Sequence, residues 1–340
     1  MNHHELNAIA RAMVVKNKGI LAADESTSTI AKRFNGIKLD STEENRRTYR
    51  ELLFTTPKVS DYISGVILYD ETIHQKTKEG VPFPTYLTQI GCIPGIKLDT
   101  GAKPLAGFPG ETITEGLDGL RERLAAYHQL GARFAKWRAV IDIGTGVPTS
   151  YAIEANAAAL ARYAALCQEA GIVPIVEPEV LMDGSHTVER CEEVTGVVLD
   201  RVFGHLFAAK VFLEGIVLKP NMVVPGKKSS QKVTPEHVAA ATVRVLKRHV
   251  PSAVPGIAFL SGGQTSIEAT QHLHLINTGP PLPWAVTFSY GRALQEDALA
   301  AWSGHPTSFA LGQQALFKRA KLNGLASVGA YSSALESAAA

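Results

Sequence analysis

The sequence contains few cysteines, and their positions fit neither a disulfide framework nor a metal site. Its 340 residues include three cysteines, Cys92, Cys167 and Cys191, an odd number without the short spacing of metal ligands. Stable disulfides need paired cysteines and an oxidising compartment, so we expect reduced thiols. The first residues also lack the basic and then apolar pattern of a secretory signal. A cytoplasmic protein is therefore predicted.

Long apolar runs and a strong charge imbalance are also missing. The most apolar region, residues 197–218, is interrupted by Asp200, Arg201, Lys210 and Glu214, which excludes a membrane-spanning helix there. The formal net charge is +2, so neither nucleic acid nor an anionic membrane is expected as a partner. Hydrophobic residues make up 45% of the chain, an ordinary share for a globular protein.

What the chain does have is a repeated alternation of short β-branched segments and helical stretches. The β-branched segments begin near Ile20, Gly65, Gly95, Ala132, Ile172, Gly215, Gly256 and Trp284. Intervals of about 30–45 residues are long enough for one β-α unit each. Eight alternations without a linker predict an α/β protein with a closed parallel (β/α)8 TIM barrel, formed as a single domain by residues 1–340. A doubly wound sheet is the alternative, but no Gly-x-Gly-x-x-Gly follows the first segment, so dinucleotide binding has little support.

The two ends of the chain differ from this rhythm. Residues 1–18 are predicted to form a helix that lies outside the barrel. Residues 325–340 are rich in serine, glycine and alanine, and they are predicted to form a flexible tail.

Ionisable residues recur where the β-branched segments end. A TIM barrel builds its active site at this end of its strands. Residues two apart on a strand share a face, so paired residues at these positions point the same way. We therefore expect acids and cations to crowd one mouth of the barrel. The positions are Asp24, Asp70 or Glu71, Lys97 with Asp99, Lys136 with Arg138, Glu177 with Glu179, and Lys219.

Lys219 is the most informative of these residues because it ends a strand-like segment directly before Pro220. A free lysine is protonated at neutral pH and is a poor nucleophile. Burial and neighbouring cations favour the neutral amine, which can attack a ketone and form an imine. Glu177 and Asp24 act in the opposite sense, and we expect the cations to dominate at Lys219. A single lysine at a strand end is more often a solvated charge, so the hypothesis depends on its neighbours.

Glycine-rich segments follow the seventh and eighth β-branched segments, at residues 261–263 and 289–292. Loops at these two places in a TIM barrel frequently bind phosphate through backbone N–H groups. Arg292 would add a charge-assisted contact. A second anion site could use Lys97, Ser26 and Arg33. Two anion sites that flank an amine would suit a small sugar bisphosphate.

Several ordered motifs resemble class I fructose-1,6-bisphosphate aldolase. They are GILAADEST (19–27), TEENRR (42–47), FAKWR (134–138), IVEPE (175–179), LKPNM (218–222), LSGGQ (260–264) and FSYGRALQ (288–295). The resemblance runs from about residue 5 to about residue 325 in the family's order. It implies a metal-independent cytosolic homotetramer, without a cofactor, that acts in glycolysis and gluconeogenesis. The implied reaction is reversible cleavage of fructose 1,6-bisphosphate to dihydroxyacetone phosphate and glyceraldehyde 3-phosphate through a lysine Schiff base.

The resemblance also implies roles for individual residues. Lys219 would form the Schiff base, and Glu177 would be the acid and base that helps to dehydrate the carbinolamine. Lys136 and Asp24 would orient and polarise the reacting groups, with Glu179 close behind. One phosphate would be held by Ser261, Gly262, Gly263, Gly291 and Arg292, with Ser289 beside them. The other phosphate or the sugar hydroxyls would be bound by Ser26, Thr29, Arg33, Arg46, Lys97 and Arg138.

The chain departs from the family at two places. The family commonly has Gly-Ser where this chain has Ser28 and Thr29; Thr29 keeps a hydroxyl, but the lost glycine stiffens the loop at the second phosphate. Animal members end in a tyrosine that assists a late proton transfer, whereas this chain ends in alanines and its Tyr331 is not terminal. Which group protonates the enamine is therefore open.

Two alternative functions remain at this point. Another lysine-dependent barrel enzyme, such as a transaldolase, would prefer a substrate with a single phosphate, and a non-catalytic barrel would be a binding scaffold. A metal-dependent enzyme is not favoured, because His272 and His274 are two apart on an expected helix and point in different directions. The basic segment 227–232 is interpreted as a solvated loop.

Overall fold

The structure, a computed structural model, describes residues 2–338 of the chain. Within this range the strands are β1 (Gly19–Ala23), β2 (Ile63–Leu68), β3 (Ile93–Lys97), β4 (Gly101–Pro104), β5 (Thr112–Glu115), β6 (Phe134–Ile141), β7 (Val173–Val180), β8 (Val217–Leu218), β9 (Gly256–Phe259) and β10 (Ala285–Tyr290). All except β4 and β5 pair in parallel and close in the order β1-β10-β9-β8-β7-β6-β3-β2. The predicted (β/α)8 barrel is confirmed.

Helices connect the strands on the outside of the barrel. Over the described residues they are α1 (His3–Met13), α2 (Thr27–Asn35), α3 (Glu43–Phe54), α4 (Asp70–Ile73), α5 (Phe83–Gln89), α6 (Leu120–Gln129), α7 (Ser150–Glu169), α8 (Val188–Ala208), α9 (Pro235–His249), α10 (Ser266–Thr278), α11 (Arg292–Trp302), α12 (Phe309–Ser327) and α13 (Leu335–Ala338). In the described part of the chain, no helix combines the length and the apolar composition that crossing a membrane requires.

Local sequence explains why these elements begin where they do. Each barrel strand starts within two residues of its predicted position. Helix α9 begins at Pro235, and the Thr234 side chain accepts a hydrogen bond from the backbone N–H of His237, which satisfies one of the free donors of the first turn. The antiparallel hairpin of β4 and β5 lies outside the barrel and was not expected from the sequence.

Aromatic rings on the barrel strands pack against glycines of neighbouring strands, Phe134 on the inner face of the barrel and Phe288 on its outer face. A Cβ added to Gly95 would overlap the ring of Phe134, and one added to Gly19 would lie 2.6 Å from the ring of Phe288. Both rings are fully buried. The interior is therefore a packed core, and the open space lies at the mouth where the strands end.

Helix α1 closes the opposite end of the barrel. Its residues Leu6, Ala10 and Met13 recur at helical spacing and are buried. They belong to the same apolar cluster as Ile20 and Phe134 of the barrel interior. The predicted N-terminal helix is thus present, and its apolar face covers the amino-terminal ends of the strands.

The carboxyl-terminal segment packs on the outside of the barrel. Helix α12 continues to Ser327, and the buried Tyr331 donates a hydrogen bond from Oη to Oε1 of Glu336 at 3.0 Å. The same carboxylate pairs with Arg319 at 2.8 Å. Flexibility of residues 325–340 stays a prediction, and residues 339 and 340 lie outside the described residues.

Candidate active site

The carboxyl ends of the barrel strands surround a polar cavity of about 670 Å³. Every residue that the sequence assigned to catalysis or to substrate binding lines this cavity, with the exception of Arg46. The residues come from strands and loops that are far apart in sequence, and the closed topology brings them to one mouth.

Lys219 and Glu177 form a buried pair at the base of the cavity. Lys219 directly follows β8, and its backbone N–H donates to the carbonyl of Val176 on β7 at 2.8 Å. This bond extends the strand pairing and fixes the direction of the side chain. The side chains of Lys219 and Glu177 are 4% and 3% exposed, and Nζ lies 3.2 Å from Oε1. A water-shielded amine therefore lies within reach of a carboxylate that can accept or return a proton.

Lys136 lies between the carboxylates of three acids. Its Nζ is 2.9 Å from Oδ2 of Asp24, 3.4 Å from Oε2 of Glu177 and 3.9 Å from Oδ2 of Asp99. Burial alone would lower the pKa of the Lys136 ammonium, but the attraction of Asp24, Glu177 and Asp99 outweighs burial and raises the pKa well above its ordinary value. Lys136 is therefore a fixed positive charge at neutral pH.

The acids that surround it are correspondingly ionised. Burial would raise the pKa of Asp24, but Lys136, Lys219 and Lys97 outweigh it and lower that pKa. The pKa of Glu177 is lowered in the same way, because Lys219, Lys136 and Arg138 overcome the effect of burial. The resting site thus contains charged carboxylates that can accept protons.

The expected dominance of cations at Lys219 is not visible in these contacts. Glu177 forms an ion pair with Lys219, and the charge of Lys136 is balanced by acids. Asp24 and Glu177, the acids expected to oppose the cations, thus lie within ion-pair distance of Lys136 and Lys219. That the neutral amine of Lys219 is favoured stays a prediction.

Arg138 and Glu179 form a second ion pair at the rim of the same wall. The Nε of Arg138 donates to Oε2 of Glu179. Burial would lower the pKa of Arg138, but Glu179, Glu177 and Asp99 outweigh it and raise that pKa. The contact of Glu179 is therefore with Arg138, and its role close behind Lys219 and Glu177 stays a prediction.

The two glycine-rich loops meet at one side of the cavity. Gly262 has φ +55, a conformation that glycine adopts without strain. Arg292 begins α11 directly after Gly291, and its Nη2 donates to the carbonyl of Gly262 at 3.2 Å. The buried Oγ of Ser289 has no hydrogen-bond partner among the described residues. A cation, a helix N-terminus and a free hydroxyl therefore converge where the first phosphate is predicted.

The second predicted anion site lies at the start of α2. Ser26 is the N-cap of this helix, and its Oγ accepts from the backbone N–H of Thr29 at 3.4 Å. Lys97 at the end of β3 also lines the cavity and pairs with Asp99 at 3.4 Å. The exposed N–H groups of the first turn of α2 favour an anion here.

The structure places Arg33 differently from the expectation. The sequence groups Arg33 with Lys97 and Ser26 at the second anion site. Its Nη2 instead lies against Gly291, at 3.8 Å from a Cβ built on that glycine. The reason is that Arg33 belongs to the last turn of α2, at the opposite end from Ser26. Arg33 is therefore a neighbour of the first phosphate loops.

Arg46 is not brought to the cavity. Its Nε and Nη2 donate to the two carboxylate oxygens of Glu71 at 2.7 and 2.6 Å. This bidentate pair links α3 to α4 and uses the guanidinium in a structural contact. Asp70 is likewise engaged, since it accepts from the hydroxyl of Tyr127 at 2.6 Å.

Sequence reasoning missed Glu25, which organises the wall behind Asp24. The buried carboxylate of Glu25 accepts from Arg33 at 2.6 Å, from Arg50 at 2.7 Å and from Nε2 of Gln295 at 3.0 Å. Burial would raise the pKa of Glu25, but Arg33 and Arg50 outweigh it and lower that pKa. No local pattern marked Glu25, because Arg50 and Gln295 lie 25 and 270 residues away in sequence.

Met182 and Lys227 also reach the mouth of the cavity. The sequence assigned Lys227 to a solvated loop and gave no role to Met182. Within residues 2–338, no group of three or more His, Cys, Asp or Glu side chains is arranged to hold a metal ion.

Comparison with known proteins identifies the relatives of this chain. The sequence profile of the family described as "Fructose-bisphosphate aldolase class-I" matches residues 5–340. The "Probable fructose-bisphosphate aldolase class 1" of Xanthomonas campestris is 59% identical over 97% of this chain and 99% of its own length. The "Fructose-bisphosphate aldolase 4, cytosolic" of Arabidopsis thaliana is 53% identical over 96% of this chain and 84% of its own length. A solved fructose-bisphosphate aldolase from Plasmodium falciparum, crystallised with TRAP and a small-molecule inhibitor, superposes with a TM-score of 0.96 at 49% identity, covering 97% of this chain and 96% of that one.

Proposed function

The chain belongs to the class I fructose-bisphosphate aldolase family, and on this premise we propose which of its residues carry out the reaction. The enzyme cleaves D-fructose 1,6-bisphosphate reversibly to dihydroxyacetone phosphate and D-glyceraldehyde 3-phosphate in glycolysis, through a lysine Schiff base. In our proposal the reverse condensation serves gluconeogenesis. The observation that carries the assignment of residues is the buried contact of 3.2 Å between Nζ of Lys219 and Oε1 of Glu177.

Glu177 activates Lys219 and then helps to form the imine. Its carboxylate takes a proton from the Lys219 ammonium, and the neutral amine attacks the C2 carbonyl of the open-chain ketose to give a carbinolamine. Glu177 returns the proton to the C2 hydroxyl, which leaves as water while the C=N bond forms. The lowered pKa of Glu177 supports this order, because the group begins as a base.

Cleavage of the C3–C4 bond uses the same carboxylate a second time. Glu177 removes the proton of the C4 hydroxyl, the C4 carbonyl forms, and the electron pair of the C3–C4 bond moves into the iminium to give an enamine. Glyceraldehyde 3-phosphate leaves. The enamine is protonated at C3, and water hydrolyses the new iminium to release dihydroxyacetone phosphate and Lys219.

Lys136 and Asp24 orient and stabilise the reacting groups. Lys136 keeps its positive charge, since Asp24, Glu177 and Asp99 raise its pKa. A fixed cation in a buried site stabilises negative charge that develops on the substrate oxygens. Asp24 holds Lys136 by the ion pair of 2.9 Å. We therefore assign electrostatic and orienting roles to this pair.

The two anion sites hold the substrate across Lys219. We assign one phosphate to Ser261, Gly262, Gly263, Ser289, Gly291 and Arg292, with Arg33 beside them. We assign the other phosphate to Ser26, Thr29 and Lys97 at the start of α2, with Arg138 near the sugar hydroxyls. Support comes from the way these residues line one cavity.

Reductive trapping tests the assignment of the nucleophile. Borohydride added with dihydroxyacetone phosphate is expected to leave a covalent adduct at Lys219, located by mass spectrometry. Lys219→Ala should lose both the adduct and cleavage activity. Lys247→Ala, which changes an exposed lysine of α9, is the matched control and should keep both. Full cleavage activity in Lys219→Ala would refute the assignment.

A coupled cleavage assay separates the alternatives. Activity should persist with a chelator; loss that a divalent metal restores would indicate a metal-dependent enzyme. A transaldolase would prefer a substrate with a single phosphate, and a binding scaffold would show no turnover.

The assembly and location of the enzyme are further parts of the proposal. We propose a homotetramer in the cytoplasm, supported by the family resemblance and by a plant relative that is named cytosolic. Sedimentation analysis tests the assembly: a mass near that of a single 36.4 kDa chain at assay concentration would contradict a tetramer. Cell fractionation tests the location.

A further inference from the structure

Two loops on one side of the cavity are joined into a single unit. One follows β7 and contains residues 182–186, and the other follows β8 and contains residues 226–228. The backbone N–H of Lys227 donates to the carbonyl of Met182 at 2.7 Å, and that of Lys228 donates to Gly184 at 3.0 Å. We call this unit the 182/227 clamp, after the two residues whose side chains reach the cavity.

Close backbone contact fixes the direction of the clamp. A Cβ added to Gly226 would overlap the carbonyl group of Gly184. The N–H of Gly226 also donates to the carbonyl of His186 at 2.9 Å. Since only glycine permits this approach, the chain at Lys227 is held in one orientation. The backbone that carries Lys227 is therefore positioned by the fold, and its side chain, 42% exposed, extends from a fixed point.

The clamp covers the first glycine-rich loop. A Cβ added to Gly263 would overlap both Cε and Nζ of Lys227, so that side chain lies directly on the glycine. The backbone N–H of Gly263 donates to Sδ of Met182 at 3.0 Å. The ammonium of Lys227 and the thioether of Met182 thus occupy the space beside the N–H groups assigned to a phosphate.

The charge of Lys227 is only weakly compensated. Its ion pair in the structure is with Oδ1 of Asp183 at 3.9 Å, and the Asp183 side chain is 66% exposed. A long, solvated pair of this kind contributes little. The ammonium therefore remains available to an anion placed on the glycine loop, where Arg292 already contacts Gly262.

We propose that Lys227 is a further phosphate-binding residue of this enzyme and that Met182 holds the Gly263 N–H until a phosphate oxygen replaces its sulfur. The proposal rests on the assignment of the first phosphate to the glycine-rich loops. Thioether sulfur is a weak acceptor, whereas a phosphate oxygen accepts charge-assisted hydrogen bonds. Exchange of the sulfur for a phosphate oxygen therefore favours the phosphorylated ligand and keeps the Gly263 N–H paired in both states.

Neutral substitution of Lys227 tests the contact. In Lys227→Met the KM for fructose 1,6-bisphosphate is expected to rise about tenfold, the loss of one charged hydrogen bond, with kcat changed less than about twofold. The inhibition constant of inorganic phosphate should rise in parallel. Lys228→Met is the matched control, since Lys228 is exposed in the same loop and does not line the cavity. Lys227→Arg should restore both constants.

A ligand without phosphate separates this proposal from the proposed catalytic roles. Borohydride trapping of Lys219 with dihydroxyacetone should be equal in wild type and Lys227→Met, whereas trapping with dihydroxyacetone phosphate should be weaker in the variant. Failure of trapping in the wild type would refute the nucleophile. Equal KM and phosphate inhibition in Lys227→Met and Lys228→Met would overturn the role of Lys227.

The role of Met182 has a separate test. Met182→Leu keeps an apolar side chain and removes the sulfur acceptor, so the Gly263 N–H is free for the anion. Inorganic phosphate should then bind at least as tightly as in the wild type. Weaker phosphate binding in a variant with unchanged thermal stability would contradict the exchange.

Discussion

Nζ of Lys219 lies 3.2 Å from Oε1 of Glu177, and both side chains are buried beneath the cavity. The other carboxylate oxygen of Glu177 lies 3.4 Å from Nζ of Lys136. One carboxylate therefore bridges Lys219, the proposed nucleophile, and Lys136. This arrangement lets a single carboxylate exchange protons with Lys219 while Lys136 stays protonated.

Glu177→Gln should slow the reaction without disrupting the fold, because the amide keeps the shape of the side chain but cannot exchange the proton. We expect kcat to fall by about 10²–10⁴, the usual contribution of a positioned acid and base. The rate of borohydride trapping should fall as well, since carbinolamine dehydration precedes the trapped imine. Unchanged trapping with reduced turnover would show that Glu177 acts only after the imine has formed.

Asp24→Asn should change the dependence of stability on pH. The native pKa of Asp24 is lowered, so below about pH 4 the unfolded chain binds a proton that the native state does not. The stability that this carboxylate contributes is therefore present above that pH and lost as the pH falls. At about pH 7 the variant should be less stable by about 2 kcal/mol, because a charged hydrogen bond to a buried lysine is removed.

Urea unfolding midpoints measured across the acidic pH range test the predicted direction of this pH dependence. The difference in urea midpoint between wild type and Asp24→Asn should become smaller as the pH falls below about 4. A difference that stays constant down to acid unfolding would mean that Asp24 is not held ionised by its neighbours.

Substitution of Arg33 and of Arg46 should distinguish a residue that binds substrate from one that stabilises the fold. Arg46→Met removes the pair with Glu71, and we expect a loss of about 1 kcal/mol in stability with KM unchanged. Arg33→Met removes a cation beside Gly291 and should raise KM by about tenfold. Steady-state kinetics and thermal unfolding of the two variants, measured side by side, show which arginine binds substrate and which stabilises the fold. A large KM increase in Arg46→Met would show that Arg46 reaches the substrate when it is bound.

Gly95→Ala should reveal how tightly the barrel interior is packed. The new Cβ would overlap the buried ring of Phe134, so we expect a loss of about 2 kcal/mol from overpacking. Gly204→Ala on the exposed face of α8 is the control, since nothing lies within 4 Å of its Cβ position. It should gain about 0.5–1 kcal/mol from helix propensity. Denaturant unfolding measures both, and a neutral Gly95→Ala would mean that Phe134 can move.

The barrel itself could be read from the chain because its strands are buried on both faces. Such strands appear as short, continuous β-branched segments, and these located β1 and the other barrel strands to within two residues. The hairpin of β4 and β5 carries exposed residues such as Ala102 and Lys103. The sequence of this hairpin therefore resembled that of a loop, and the pairing of β4 with β5 could not be predicted from the local pattern of residues.

The site could be predicted only in part, for a related reason. Arg46 and Arg50 are one turn apart on α3, and sequence does not say which of them faces the wall of the cavity. The structure pairs Arg50 with Glu25 at 2.7 Å and turns Arg46 to Glu71. Lys227 looked like a solvated residue because the glycine loop that it covers lies in a different β-α unit.

The sequence by itself determined which chemical groups stand at the mouth, because every strand of a closed parallel barrel ends at the same face. An amine after β8, acids after β1 and within β7, and glycine loops after β9 and β10 must therefore meet there. Only the tertiary structure decided how these groups pair and which charges they carry. Ion pairing depends on distances between neighbouring strands and loops, and those distances make Glu177 the bridge between Lys219 and Lys136.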